Sequence, residues 1–458
     1  MDLFDPADPR PVHFMGIGGA GMSALALLAR RRGVAVSGCD PDPSGAADVA
    51  ALGAEVWIGH DVAHVRNVRA VVVTAAVPPE HPELRQARTL GIPVIPRKQA
   101  LADLVRSGRL VAVAGTHGKS TTTVMATEAL AEAGLDPTGL AGGRVDAWGG
   151  NARPGQDRVF VVEADEYDQA FLTLSPDTAV INNVEADHLE CYGSLEALEE
   201  AFRSFAARAA RVLVGADDPG AGRVAAGLDP ARVWRFGFAA GADLRLSQVA
   251  QTTTGSQALL RLPDNREITL RVPVPGLHNL RNAAAALGTV LAEGGKLEPA
   301  LAALARYRGL GRRFEQLGEV RGIRFVDDYA HHPTELVATL EAARQAFPGR
   351  RIIAVFQPHL FSRTAAHAGA MGQALTGVDL AIVTEIYPAR EAPIPGVSGR
   401  LVWEAARAAG ATVIFEPEKA RLGDLIMEHA RSGDVVLTLG AGDVTRVGRE
   451  LMQWLRAA

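Results

Sequence analysis

Residues 110–123 read LVAVAGTHGKSTTT. Five apolar residues suit a buried strand, and a run of hydroxyl residues behind Gly118-Lys119-Ser120 suits the first turn of a helix. The end of the stretch is the end of a phosphate-binding loop. Its start is not: the spacing G-x-x-x-x-G-K-[ST] calls for glycine at position 113, which is Val113. The glycine is Gly115, so the loop is the tighter Gly115-Thr116-His117-Gly118-Lys119-Ser120. Backbone N–H groups of residues 116–121 are expected to converge on phosphate, as the N-terminus of a helix allows. Lys119 is expected at the terminal phosphates of ATP and the Ser120 hydroxyl at Mg²⁺, with Thr121 in the same turn. Lys119 is one of only four lysines, beside Lys98, Lys296 and Lys419, in a chain that otherwise uses arginine. A casual surface charge is therefore a poor reading of it.

A phosphate loop needs metal ligands nearby. VFVVEAD supplies Glu163 and Asp165, and TAVINNVEADH supplies Asn183, Asp187 and His188. Carboxylate and imidazole at strand ends can position Mg²⁺ among oxygen ligands and water. Glu163, His188 and Ser120 are the candidate metal set.

Outward from this centre, short apolar runs ending in polar residues recur. VHFMGIGG, AVVVTAAV, VFVVEAD, TAVINNVEAD, IRFVDDYAHH, RIIAVFQPH, LAIVTEIYP and DVVLTLGAG each precede a helix-like segment. Strands alternating with helices predict an α/β protein with mostly parallel sheets and ligands beyond the strands' carboxyl ends. Breaks near Ser107-Gly108 and Gly309-Leu310-Gly311 predict three domains, 1–107, 108–311 and 312–458, with a helical alanine-rich stretch from Asn282 to Tyr307. In the first, Gly16-Ile17-Gly18-Gly19-Ala20-Gly21 follows a strand and opens a helix. Gly16, Gly18 and Gly21 match G-x-G-x-x-G, and Asp40 ends the next strand, so a nucleotide diphosphate is the expected ligand.

The chain has 458 residues, a net charge of −5 and two cysteines. Its length exceeds what one core usually supports. The charge argues against nucleic acid or an acidic membrane as partner. Cys39 and Cys191 form no C-x-x-C and no metal-binding spacing, which fits a reducing cytoplasm; Cys39 reads as a small buried hydrophobe. The N-terminal MDLFDPADPR is the opposite of a signal peptide, and no apolar run reaches the roughly 18 residues of a membrane span.

GTHGKST, EADEYD, NNVEADHLECY, PGLHNLRNAAAAL, GLGRRFE, DDYAHHPTEL, FQPHLFSRT and EAPIPGVSG, in that order, resemble the Mur ligases of peptidoglycan synthesis, most closely the branch that adds L-alanine. The resemblance runs from about residue 11 to the C-terminus. It implies a Rossmann-like UDP-sugar domain, a central ATPase domain and a Rossmann-like C-terminal domain that brings the amino acid. The activity implied is ATP-dependent amide-bond formation between L-alanine and the carboxylate of UDP-N-acetylmuramate, through an acyl phosphate, by a cytoplasmic monomer or homodimer. The glycine loop, Gly19 included, would then hold the UDP-sugar diphosphate rather than a nicotinamide dinucleotide, with Asp40, His60, Thr74 and Ala75 around the uridine. His278, Asn279 and Asn282 are implied near the adenine, joined by Arg313 and Asp328. Tyr329, His331, His359 and Arg363 are implied at the amino acid. An arginine fork there can clamp a carboxylate. His331 is the candidate to take the amine's proton, although the His331-His332 pair before Pro333 also suits a helix start. Leu360 replaces an arginine found in some members, which leaves Arg363 the only arginine of its motif. The competing reading within the family is a recycling ligase that joins a tripeptide to the same UDP-sugar.

Overall fold

A computed structural model describes residues 3–389 and 391–457. Met1 and Asp2 of the acidic N-terminal stretch, Arg390 and Ala458 lie outside it.

Three sheets form along the chain. The first comprises β1 (Val12–Met15), β2 (Val36–Asp40), β3 (Glu55–Ile58), β4 (Ala70–Val73) and β5 (Val94–Pro96), in the spatial order β3-β2-β1-β4-β5. Every pairing in it is parallel. The strand order reverses between β1 and β4, the place where such sheets bind ligands. The glycine loop leaves β1 at this point.

The second sheet holds β6 (Arg109–Ala114), β7 (Thr138–Val145), β8 (Gly150–Arg153), β9 (Val159–Glu163), β10 (Thr178–Ile181), β11 (Arg211–Gly215), β12 (Val233–Gly237), β13 (Leu244–Thr252), β14 (Gly255–Arg261) and β15 (Glu267–Val272). Its order is β15-β14-β13-β12-β11-β10-β6-β9-β7-β8. The run LVAVA is wholly buried because β6 is central, paired in parallel with β10 on one side and β9 on the other. That arrangement sets three carboxyl ends side by side: the phosphate loop, Glu163 and Asn182-Asn183.

The third sheet contains β16 (Glu315–Val320), β17 (Ile323–Asp328), β18 (Ile352–Phe356), β19 (Leu380–Val383), β20 (Val413–Phe415) and β21 (Val435–Leu439), ordered β16-β17-β21-β18-β19-β20. Only β16 runs antiparallel to its neighbour here.

By density of contacts the chain divides into two compact units. Residues 1–249, 258–271 and 280–307 form one; residues 250–257, 272–279 and 308–458 form the other. The first two sheets share a unit because the helix Ala20–Arg31 lies between them. Asn151 donates to Ala20 O at 3.1 Å, and Arg32 pairs with Asp157 at 2.9 Å. The alanine-rich stretch is also not one helix. A helix at Leu277–Ala292 ends at Gly294, with φ of 75°, and a second runs from Leu297 to Leu304. Ala283 to Ala286 are all fully buried; their small side chains suit a helix packed closely into the core. No helix among the described residues is long and apolar enough to cross a membrane.

Candidate functional site

The phosphate loop is built by two glycines and one asparagine. Gly115 has φ of 130°, and Gly118, at the start of the helix Lys119–Glu132, has φ of 79°; both lie where a side chain is strained. A Cβ on Gly115 would stand 3.0 Å from the Asn182 amide nitrogen, so the loop sits directly on the end of β10. Asn183 holds it there: its carbonyl accepts from Thr116 N at 3.1 Å and its side-chain oxygen from His117 N at 2.7 Å. This corrects the expected donor set. The amides of Thr116 and His117 are committed to Asn183, so the amides left for a phosphate would start at Gly118, where the first turn of a helix leaves N–H groups without intrahelical partners. A Cβ on Gly118 would meet the Asn282 side-chain oxygen at 2.8 Å. Asn282 therefore borders the phosphate loop itself.

Lys119 points back along its loop. Its ammonium donates to Gly115 O at 2.6 Å and to both Glu166 oxygens at 2.9 and 2.8 Å. Burial disfavours the charge, but Glu166, with Asp165 and Glu163 behind it, outweighs burial and holds the Lys119 pKa above its ordinary value. Glu166 was not singled out in the sequence, although it lies within EADEYD. It is 2 % exposed, and its backbone carbonyl accepts from the Tyr192 hydroxyl at 2.5 Å.

Glu163, at the end of β9, is half-buried and accepts from Gly142 N. Ser120 is buried in the helix's first turn. His188 sits in a left-handed turn, φ 53°, with its Nδ1 3.3 Å from Glu190 and its ring edge-on to Tyr167. A hydroxyl and a carboxylate oxygen suit Mg²⁺, an imidazole nitrogen less so.

Arg97, also overlooked in the sequence, reaches from the glycine loop of the first sheet to the segment after β9. A Cβ on Gly21 would meet its guanidinium at 2.9 Å, and the same group lies 3.8 Å from Asp165. The glycine loop is closed by Asp40, whose carboxylate accepts from Gly18 N at 3.0 Å and Asp42 N at 2.9 Å. Gly16, φ 83°, presses on Thr74, and Gly19 and Ala75 are exposed at the same mouth. His60 turns its Nδ1 toward Cys39 Sγ and Glu83, each at 3.2 Å. Cys39 is buried as expected but not among hydrophobes alone: His13 and Glu83 also face it.

In the second unit the four expected amino-acid residues come together. Tyr329 and His331 follow β17; His359 and Arg363 follow β18. The His331 ring lies 5.2 Å from Tyr329 and 5.5 Å from His359, and Arg363 donates to His359 Nδ1 at 3.1 Å. Tyr387, a further residue the sequence did not flag, stacks on His359 at 5.9 Å. Leu360 takes φ of 68° to start the helix Phe361–Ala374, which turns buried Arg363 inward. Glu335 accepts from the amides of His331 and His332, and His332 is the N-cap of the helix Pro333–Ala346. Arg313 lies over the Tyr329 ring at 4.9 Å. His278 packs over Gly276, and Asn279 donates to Pro275 O at 2.7 Å.

Three family models match in succession: the Mur ligase family catalytic domain over residues 11–109, the Mur ligase middle domain over 113–290, and the Mur ligase glutamate ligase domain over 312–442. The chain belongs to the Mur ligase family. It is 45 % identical, over 99 % of its length and 97 % of the other's, to UDP-N-acetylmuramate–L-alanine ligase of Cutibacterium acnes. The solved UDP-N-acetylmuramate-alanine ligase of Thermotoga maritima superposes with a TM-score of 0.85 at 29 % identity, covering 98 % of this chain and 99 % of that one. A murein peptide ligase from Psychrobacter arcticus gives 0.72 at 26 %, covering 97 % and 98 %.

Asp328 supplies a test of the second unit. It accepts from Phe314 N at 2.6 Å, Ala330 N at 2.8 Å and Thr339 Oγ1 at 3.1 Å, yet burial outweighs these and Arg313 and raises its pKa to about 6. A raised carboxyl pKa means the fold favours the protonated form. Its destabilising contribution is thus absent only well below the ordinary aspartate value of 3.8, grows as pH rises from there and is complete above about 6. Carboxyl ¹³C shifts of the labelled protein should show Asp328 titrating near 6, and a midpoint at the ordinary aspartate value would contradict this.

Proposed function

We propose that the protein is an ATP-dependent ligase that joins L-alanine to the carboxylate of UDP-N-acetylmuramate, in the cytoplasm, for peptidoglycan synthesis. The observation that carries this reading is the presence in one unit of two glycine loops, each at the carboxyl ends of parallel strands, with Arg97 reaching from Gly21 of the first to Asp165, whose charge acts on Lys119 of the second. One suits a sugar nucleotide's diphosphate and the other a triphosphate to be cleaved. The full-length likeness to alanine-adding relatives favours L-alanine over a tripeptide, for which the likeness to the murein peptide ligase is weaker.

Each residue has a distinct task in this proposal. Gly16, Gly18, Gly19 and Gly21 admit the UDP-sugar diphosphate, with Asp40 fixing their loop and His60, Thr74 and Ala75 beside the nucleoside. Lys119 and the amides from Gly118 onward neutralise the transferring phosphoryl group, and Glu166 aims the ammonium. Ser120, Glu163 and His188 would hold Mg²⁺, which supplies further charge neutralisation at the phosphates. Asn282 borders those phosphates; His278, Asn279, Arg313 and Asp328 are assigned to the rest of ATP. The sugar's carboxylate oxygen bonds to the γ-phosphorus as the bond to ADP breaks. The alanine amine then attacks the acyl carbon and phosphate leaves.

The Arg363 fork, oriented by His359, would grip the alanine carboxylate. His331 Nδ1 lies 2.9 Å from Tyr329 O and 3.1 Å from Glu335, two acceptors that orient the ring, and His331 is the candidate to take the amine's proton.

Lys119→Ala should lower ligation by on the order of 10³-fold. Calorimetry should find UDP-N-acetylmuramate affinity near that of the parent; a parallel loss of both would refute separate phosphate sites. Arg363→Lys replaces a planar fork by a point charge and should raise the Michaelis constant for alanine about ten-fold, with that for ATP little changed. An unaltered alanine constant would remove Arg363 from the clamp.

A further inference from the structure

Four of the chain's twelve histidines and one of its two cysteines, none of them near another in sequence except His60 and His64, converge below the first sheet's ligand edge. The cause is strand periodicity. His13 pairs with Ser37 and Met15 with Cys39 across β1 and β2, so His13 and Cys39, two rungs apart, face the same side of the sheet. Onto that side pack the short helix Val62–Val65, which carries His64, and the helix Pro82–Thr89, which carries Glu83 in its first turn. Hydrophobic Met15, Val65, Val71 and Leu84 wall the space.

At its centre lies Glu83, 1 % exposed. A buried carboxylate needs a counter-charge. No lysine or arginine pairs with it among the described residues. Its partners are the Asp61 amide at 2.9 Å, His64 Nδ1 at 2.9 Å, His60 Nδ1 at 3.2 Å, His81 Nδ1 at 3.9 Å and the Cys39 thiol at 3.5 Å. All but the amide are groups that bind metals.

We propose that His13, Cys39, His64 and Glu83 form a structural Zn²⁺ site beneath the UDP-sugar loop. One ligand atom from each lies within 4.8 Å of the others. Zinc bonds of about 2.0–2.3 Å set tetrahedral edges of about 3.3–3.6 Å. Cys39 Sγ to His13 Nε2 measures 3.4 Å and to Glu83 Oε1 3.6 Å; the edge from His64 Nδ1 to Glu83 Oε1, 2.9 Å, opens slightly. One sulfur, two imidazoles and one carboxylate select zinc over Mg²⁺ or Ca²⁺. Thiolate and carboxylate together balance the dication, and the thiol proton leaves to solvent.

The outer contacts are those of ligands held in place. His13 Nδ1 meets Ser37 Oγ at 3.0 Å, which turns Nε2 to the centre, and the His64 ring stacks on Trp57 at 4.4 Å. The carbonyl of Cys39 accepts from Gly16 N at 2.8 Å and Ile17 N at 3.3 Å, so the metal would anchor the strand end on which the diphosphate loop hangs.

Cobalt titration of the chelator-treated whole protein tests this. The parent should develop a sulfur-to-cobalt charge-transfer band that saturates at a single equivalent and is bleached by zinc. Cys191→Ser should keep the band, Cys39→Ser should lose it, and the thermal midpoint of the parent should rise on adding zinc. No band in the parent, which needs no variant to fold, would overturn the proposal, as would a band that survives Cys39→Ser.

Discussion

The buried pair of Lys119 and Glu166 is the interaction on which the central site depends. An ammonium taken out of water is tolerable only beside an opposite charge, and Glu166 meets it with both oxygens while Gly115 O receives a third bond. The pair ties the loop after β6 to the segment after β9. Because β6 lies between β9 and β10, the same strand end also meets Asn183, which fixes the amides of Thr116 and His117. A loop two residues shorter than the usual phosphate loop is thereby held open by its neighbours rather than by its own length.

A similar division of labour operates in the other sheets. In the first, Asp40 at the end of β2 holds Gly18 at the end of β1, and Thr74 after β4 packs on Gly16. In the third, residues after β17 and β18 assemble Tyr329, His331, His359 and Arg363, with β21 between the two strands. Each site is made where neighbouring parallel strands end, as parallel sheets require. Arg97, against both Gly21 and Asp165, places a cation between the diphosphate loop and the carboxylates of the phosphate site.

What could be read from sequence was local. GIGGAG and GTHGKST carry their geometry in consecutive residues, and the nine apolar runs read as strands are strands. The hairpin β7–β8 and the strands β13 to β15 escaped because their residues alternate between buried and exposed or are glycine-rich, giving no apolar run. Glu166 and Arg97 escaped because a charged residue in a polar stretch is ordinarily solvated; only the fold reveals their partners. Cys39 and Glu83 are 44 residues apart, and no spacing rule connects them. The two-unit division likewise arises from side chains of the helix Ala20–Arg31 meeting β7 and β8, which no linker composition records.

In the proposed reaction the phosphate site activates a carboxylate by phosphorylating it. The most direct measurement uses UDP-N-acetylmuramate labelled with ¹⁸O in its carboxylate, with unlabelled ATP, L-alanine and water. Mass spectrometry of the released inorganic phosphate should find one ¹⁸O atom per phosphate formed, transferred from the sugar. Phosphate released without label, at the same yield of alanylated product, would contradict an acyl-phosphate step.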